Sequence, residues 1–254
     1  MKRIMSFASR NLKEILRDPL AYIFCLGFPL VMLVVMTLVN DSIPPEANMT
    51  LFNINQLTGG MAVFGLTFIM LFTCLNISKD RSGSFLVRLY ATPMKGADFI
   101  LGYTLPVLAL SFAQILITFA AGFVISLITG QALNICGMLT AAAALVPSAV
   151  MFICFGLLFG TLFSEKAAPG LCSVLISVAS FLGGIWFDAD GTGGVLLTIC
   201  RALPFYHSVK TAHLLFAMET EGLGVHLLIT LAYTAVVAVA SVLVFRSKMR
   251  ADLA

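Results

Sequence analysis

The residues of this chain that could do chemistry are few, and their spacing does not suit it. Asp188-Ala189-Asp190-Gly191 has the beginning of a calcium loop, but the third acidic ligand and the bidentate Glu at position 12 are missing, so the segment reads as a turn. His207 and His213 are six residues apart, not the three or four that place two metal ligands on one helix face. The six cysteines, Cys25, Cys74, Cys136, Cys154, Cys172 and Cys200, form no C-x-x-C pair and read as small apolar residues. Only Cys136 and Cys200 fall where they could meet, and a disulfide between them is not expected. Neither G-x-S-x-G nor H-E-x-x-H occurs, which argues against an intramembrane hydrolase. A phosphate-binding loop would need a Gly-Lys pair, and the chain contains none, so it is not expected to hydrolyse ATP by itself.

The segments that carry these side chains are almost all apolar. The chain is 60% hydrophobic and 11% charged, against about 25% charged in soluble domains. Six stretches each reach or exceed the roughly 20 residues of a membrane-crossing helix: Leu20 to Val39, Leu57 to Ile77, Phe99 to Ile128, Gly137 to Phe163, Ala168 to Phe187 and Val225 to Phe245. The gaps are too short for a second domain, so residues 1–254 read as one all-α integral membrane unit. Thirteen of the fifteen Lys and Arg lie before the first stretch, after the second and fourth, and after the last. The positive-inside rule then places both termini in the cytoplasm, which requires an even number of spans.

Two further segments are helical without crossing. Over residues 1–18, Ile4, Met5, Ala8, Leu12, Ile15 and Leu16 fall on one arc and Arg3, Arg10, Lys13 and Arg17 on the opposite one, the pattern of an interfacial helix against anionic headgroups. Asp18-Pro19 ends that helix and starts the first span. The stretch from Gly194 to Glu219 is half apolar but holds Arg201, His207, Lys210 and His213 around Pro204. A charge at mid-bilayer costs about 2.5 to 3.5 kcal/mol, so this reads as two short external re-entrant helices before the last span.

The loop after the second span carries the sharpest local signal. Gly83 permits a turn, and Phe85, Leu86, Leu89 and Tyr90 then recur at helical spacing, with Arg88 on another side, until Pro93 ends the element. Spacing alone leaves two readings open: a short helix docking an apolar face into a partner's groove, or a basic loop that only fixes topology.

Asp80-Arg81 through Gly83, then Phe85-Leu86-Val87-Arg88-Leu89-Tyr90-Ala91-Thr92-Pro93-Met94, with Asp98 to Tyr103 following, resembles the cytoplasmic loop of the ABC type-2 permeases, the membrane subunits of ATP-binding-cassette exporters. The likeness extends to the interfacial helix, Phe28-Pro29-Leu30 in the first span, and Leu203-Pro204 before the last. The acidic-basic pair lies one residue closer to the glycine than in many relatives, and Lys79 stands where an acid is common. The resemblance implies a coupling role for Asp80, Arg81, Gly83, Phe85, Leu86, Arg88, Leu89, Tyr90 and Pro93. It also implies a permease that pairs with a second permease subunit, expected to be an identical copy in the plasma membrane. Two separate ATPase subunits would bind ATP and Mg, and no cofactor is expected in this chain. ATP binding would draw the ATPases together and turn the bundle from inward-open to outward-open.

Two stripes are candidates for the pathway lining. Ser173, Ser177 and Ser180 recur on the fifth span, where a small-residue stripe suits helix packing at a permease seam as well as substrate contact. Phe64, Phe68 and Phe72 recur on the second and would favour a hydrophobic or amphipathic cargo, drug-like or lipid-like. Gln114 on the third span is placed to hydrogen-bond across helices. Ionisable side chains are nearly absent from the spans, and no internal repeat is evident, which weighs against the alternative of an ion-gradient-driven transporter or channel without an ATPase. The short external gaps weigh against a pump acting on partners outside.

Overall fold

Every regular element among the described residues is a helix, the form that satisfies its backbone groups without water. The computed structural model describes residues 2–43, 53–83 and 96–251. Helix α1 covers Lys2–Ile15. After a turn at Leu16 and Arg17, the Asp18 carboxylate accepts the Leu20 amide at 2.9 Å and the chain re-enters helix at Pro19. This helix opens with a π-helical stretch, Ala21–Gly27, before α2, Phe28–Ser42. The wide turn precedes Pro29, which has no N–H to give, and the Phe28 amide reaches five residues back to Ile23.

The remaining helices are α3, Ile54–Ser82; α4, Gly96–Thr129; α5, Ile135–Ala144; α6, Val146–Leu162; α7, Ala168–Leu182; α8, Ala189–Thr192; α9, Gly194–Ala202; α10, Pro204–Phe216; and α11, Leu223–Ala251. Helix α3 is the hub, with α2, α4, α6, α7 and α10 packed around it. Its closest neighbour is α6, where Gly156 and Gly160 stand one turn apart. A Cβ at Gly156 would lie 2.5 Å from the Met70 carbonyl oxygen, and one at Gly160 2.7 Å from that of Cys74. Only glycine lets the two backbones approach this far.

Among the described residues, five helical stretches are long and apolar enough to cross a membrane: 21–42, 54–82, 96–129, 135–162 and 223–248. Within the fourth, α5 and α6 join at Leu145, ahead of Pro147. The apolar run expected as a span over 168–187 differs. Helix α7 stops at Leu182 after 15 residues, about 22 Å of helix against roughly 30 Å of hydrocarbon. Gly183-Gly184 ends it, with Gly184 at φ +73°, in the left-handed region where glycine alone rests easily. The stretch 194–219 contains α9 and α10, parted at Leu203-Pro204. The turn expected at Asp188-Gly191 is a single helical turn, α8, capped by the Asp188 carboxylate on the Asp190 amide at 3.1 Å.

The main core runs along α3. A second cluster, Phe7, Ile77, Phe99, Tyr103, Leu157 and Phe245, draws α1, α3, α4, α6 and α11 together at the basic end. Helix α1 uses its apolar arc differently from the expectation. Ala8 and Ile15 are buried, but so are Phe7 and Asn11, which lie off the expected arc, while Met5, Leu12 and Leu16 stay exposed. One strip of α1 is docked on α4 and the other remains open at the surface. Phe7 packs edge-on to Tyr103 at 5.0 Å and Phe99 at 5.8 Å.

Candidate functional site

The last turn of α3 immediately precedes, in the sequence, the segment singled out above. Asp80 Oδ2 accepts the Tyr103 hydroxyl of α4 at 2.7 Å and Arg10 Nη1 of α1 at 3.4 Å. Arg10 also donates to Glu14 at 2.6 Å. Arg81 donates through Nη1 to the carbonyls of Thr161 and Gly160 at the end of α6. These carbonyls belong to the unsatisfied last turn of a helix, where a cation is favoured by the dipole as well as by the hydrogen bonds. Ser82 Oγ donates to Glu165 at 2.7 Å. The α3 terminus is thus fastened to α1, α4 and the end of α6 by charged or hydroxyl side chains. Asp80 and Arg81 make these contacts within the bundle. Gly83 takes φ −81° and ψ 155°, extended backbone that any residue can adopt, and the residues that would complete its expected turn lie outside the described residues. Phe85, Leu86, Arg88, Leu89, Tyr90 and Pro93 lie outside the described residues.

Proline chemistry explains how α1 is held. Pro106 lies inside α4 and has no N–H for the carbonyl four residues back, that of Gly102. Asn11 Nδ2 donates to this carbonyl at 2.9 Å. A residue of one helix therefore completes the backbone ladder of another. Gly102 leaves room for the contact, since a Cβ there would lie 2.2 Å from the Phe7 ring.

The two stripes end in different places. Phe64, Phe68 and Phe72 are all buried. Phe64 and Phe68 pack against each other at 5.2 Å and against Phe28, and Phe64 meets Trp186 edge-on at 5.2 Å. This aromatic knot joins α3 to the first apolar helix and to the segment after α7. Ser173 and Ser177 are exposed and Ser180 is buried. Each donates its hydroxyl to the carbonyl four residues back. Gln114 is fully buried against Gly65 and bonds Thr118 Oγ1 at 3.1 Å and the Ala62 carbonyl at 3.5 Å. It joins α4 to α3.

At the opposite end Asp190 is a charge hub that sequence reasoning passed over. It accepts Lys210 Nζ at 2.6 Å, the Tyr206 hydroxyl at 2.6 Å and Arg201 at 3.4 Å. Burial works against its carboxylate, but Lys210, Tyr206 and Arg201 outweigh it and hold its pKa below the ordinary value. Burial, aided by Asp190, pushes the Tyr206 phenol up to about 12. His207 pairs with His226 of α11, not with His213. Its Nε2 faces the Arg201 carbonyl at 2.9 Å, so that nitrogen carries the proton, and its Nδ1 accepts from His226 Nδ1 at 2.7 Å. Cys136 is exposed, Cys200 is buried, and both are free thiols. Among the described residues no group of three or more His, Cys, Asp or Glu could hold a metal.

A helix hub is locked at its basic end to an accessory helix, and Phe85 to Tyr90, outside the described residues, follow it in the sequence. No curated protein matches the chain. The sequence profile of the family described as ABC-2 type transporter matches residues 2–216, from α1 through α10. The chain therefore belongs to the ABC-2 type transporter family and is a multi-pass permease subunit of such a transporter.

Proposed function

We propose that this chain is the passive half of an ATP-driven exporter, moving a hydrophobic or amphipathic solute out across the plasma membrane. Two copies would work with two ATPase subunits that bind ATP and Mg. The observation that carries the reading is the fastening of Asp80 to Tyr103 and Arg10, and of Arg81 to the end of α6. A push on the loop just beyond Gly83 would reach α1, α4 and α6 together. The nucleotide can shift the bundle only by its differential affinity for the two states, and a stiff joint passes that difference on.

The basic end is assigned to the cytoplasm, with both termini there. In this reading α7 with the turn after it makes a sixth crossing, fifth in chain order, beside the five membrane-length stretches, and α8 to α10 would form a cap that enters from outside. The face of α7 that carries Ser173 and Ser177 also exposes Val174 and Phe181. This small and apolar surface is assigned to the seam between two permeases. Phe64, Phe68 and Phe72 are assigned to the pathway only where the aromatic knot parts during turnover.

The test is co-purification with the ATPase and measurement of hydrolysis in Leu89→Asp and Arg88→Glu. Either change should loosen the complex or uncouple hydrolysis from transport while membrane insertion stays intact. Unchanged assembly and transport in both would remove the docking role.

A further inference from the structure

A cavity of about 420 Å³ opens where α1, the turn after it, α3 and α4 meet. That is within the roughly 300 to 1,000 Å³ of small-molecule sites. Its chemistry is graded. Ile15, Thr73 and Val107 are buried at its inner end, while Glu14, Arg17 and Lys79 are exposed at its mouth. Between them lies Asn76, half-buried on α3, whose amide makes no hydrogen bond among the described residues. A half-buried amide facing a cavity has a donor and an acceptor to offer an occupant.

We infer that this cavity is a binding site for a zwitterionic amphiphile, its head at the charged mouth and the start of its chain against Ile15 and Val107. The site rests on the permease reading and names the class of its cargo. Carboxylates from Glu14, Asp18 and Asp80 and cations from Arg17 and Lys79 share the lining, with Arg10 bridging Glu14 and Asp80 from the side. A head of one sign meets attraction and repulsion together. A head that separates a phosphate from an ammonium can pair with both, and Asn76 supplies the neutral contact below. The wall also includes Asp80 and Tyr103, so an occupant touches the joint that fastens α3 to α1 and α4.

The test uses the full chain, in complex with its ATPase, in a nonionic detergent. The probes are lysophosphatidylethanolamine with a photoreactive chain, its phosphatidylglycerol counterpart and dodecyltrimethylammonium. The zwitterionic probe should bind on the order of tenfold more tightly than either other and crosslink to residues of α1 and α3. Asn76→Trp, which fills the cavity, should abolish crosslinking, and Asn76→Gln should keep it. Lys79→Glu, at the exposed rim, should shift preference toward the cationic probe. Equal binding of the three heads, undiminished binding in Asn76→Trp, or unchanged preference in Lys79→Glu would overturn the site. If the ATPase still co-purifies in that event, only the cavity assignment fails, whereas a chain that never holds an ATPase defeats the permease reading itself.

Discussion

Asn11 donates to the Gly102 carbonyl, 91 residues away, which is the carbonyl that Pro106 leaves without a partner in its own helix. This bond makes α1 part of the bundle. An unmet buried carbonyl costs about 1–3 kcal/mol, so Asn11→Leu should free α1, seen as faster amide exchange over residues 2–15 and weaker coupling of hydrolysis to transport. Adding Pro106→Ala restores an N–H for Gly102 and should recover part of the lost stability. Amide exchange that is unchanged in Asn11→Leu would show that α1 is held by Phe7 and its neighbours alone.

The contact between Asp80 and Tyr103 should behave as a transmission joint. Tyr103→Phe removes one hydrogen bond, a loss of about 1 kcal/mol, and Asp80→Leu removes the acceptor used by both Tyr103 and Arg10. The double variant should cost less than the sum of the two singles, because they break one shared contact. Transport per ATP hydrolysed should fall further in Asp80→Leu than in Tyr103→Phe. Strict additivity, or equal transport in both, would contradict the joint.

Close approach of α3 and α6 should be intolerant of added volume. Gly160→Val places carbon 2.7 Å from the Cys74 carbonyl oxygen and 2.9 Å from the Ile77 Cβ, closer than van der Waals contact allows. Overpacking of this kind costs about 1–3 kcal/mol, read as a lowered unfolding midpoint in detergent. A midpoint equal to that of the native chain would mean that α6 can shift away at no cost.

Acidification should weaken the cap in two steps. Burial lowers the His207 pKa and pushes that of His213 down to about 4. Below the ordinary value of about 6.5 the unfolded chain therefore takes up protons that the folded chain refuses, and stability falls as pH drops from there toward the folded pKa. Asp190 is held below the ordinary carboxylate range, so its contribution is present above about pH 4 and is lost as pH falls through its folded value. The unfolding midpoint should be level above neutrality, decline below about pH 6.5 and decline again below about pH 4. His207→Asn with His213→Asn should reduce the first decline, and Lys210→Gln should blunt the second. Declines of full size in those variants would place the titrating groups elsewhere.

Much of the fold was legible because membrane spans are written in continuous apolar runs, and Lys and Arg mark one end. The break of α7 was legible only in part. The run continues to Phe187, and hydropathy alone does not register that Gly183-Gly184 stops the helix. Gly156 and Gly160 stand at G-x-x-x-G spacing, a sequence signal for the close approach of α6 to α3. The partners of Asn11, Asp80 and His207 were out of reach. Asn11 lies on the edge of a polar face and signals nothing by itself, and its use depends on a proline in another helix. Tyr103 is 23 residues from Asp80, and His226 is 19 from His207 across a helix break. Periodicity carries the face a residue occupies, and it does not carry which helix lies opposite.

Solute flux in sealed vesicles separates a driven permease from a self-sufficient carrier, comparing this chain alone with the chain plus its ATPase and ATP, using a labelled zwitterionic amphiphile. Transport is expected only when the ATPase, ATP and an intact Phe85 to Tyr90 segment are all present. Solute movement by the chain alone, down or against a gradient and indifferent to ATP, would contradict that expectation.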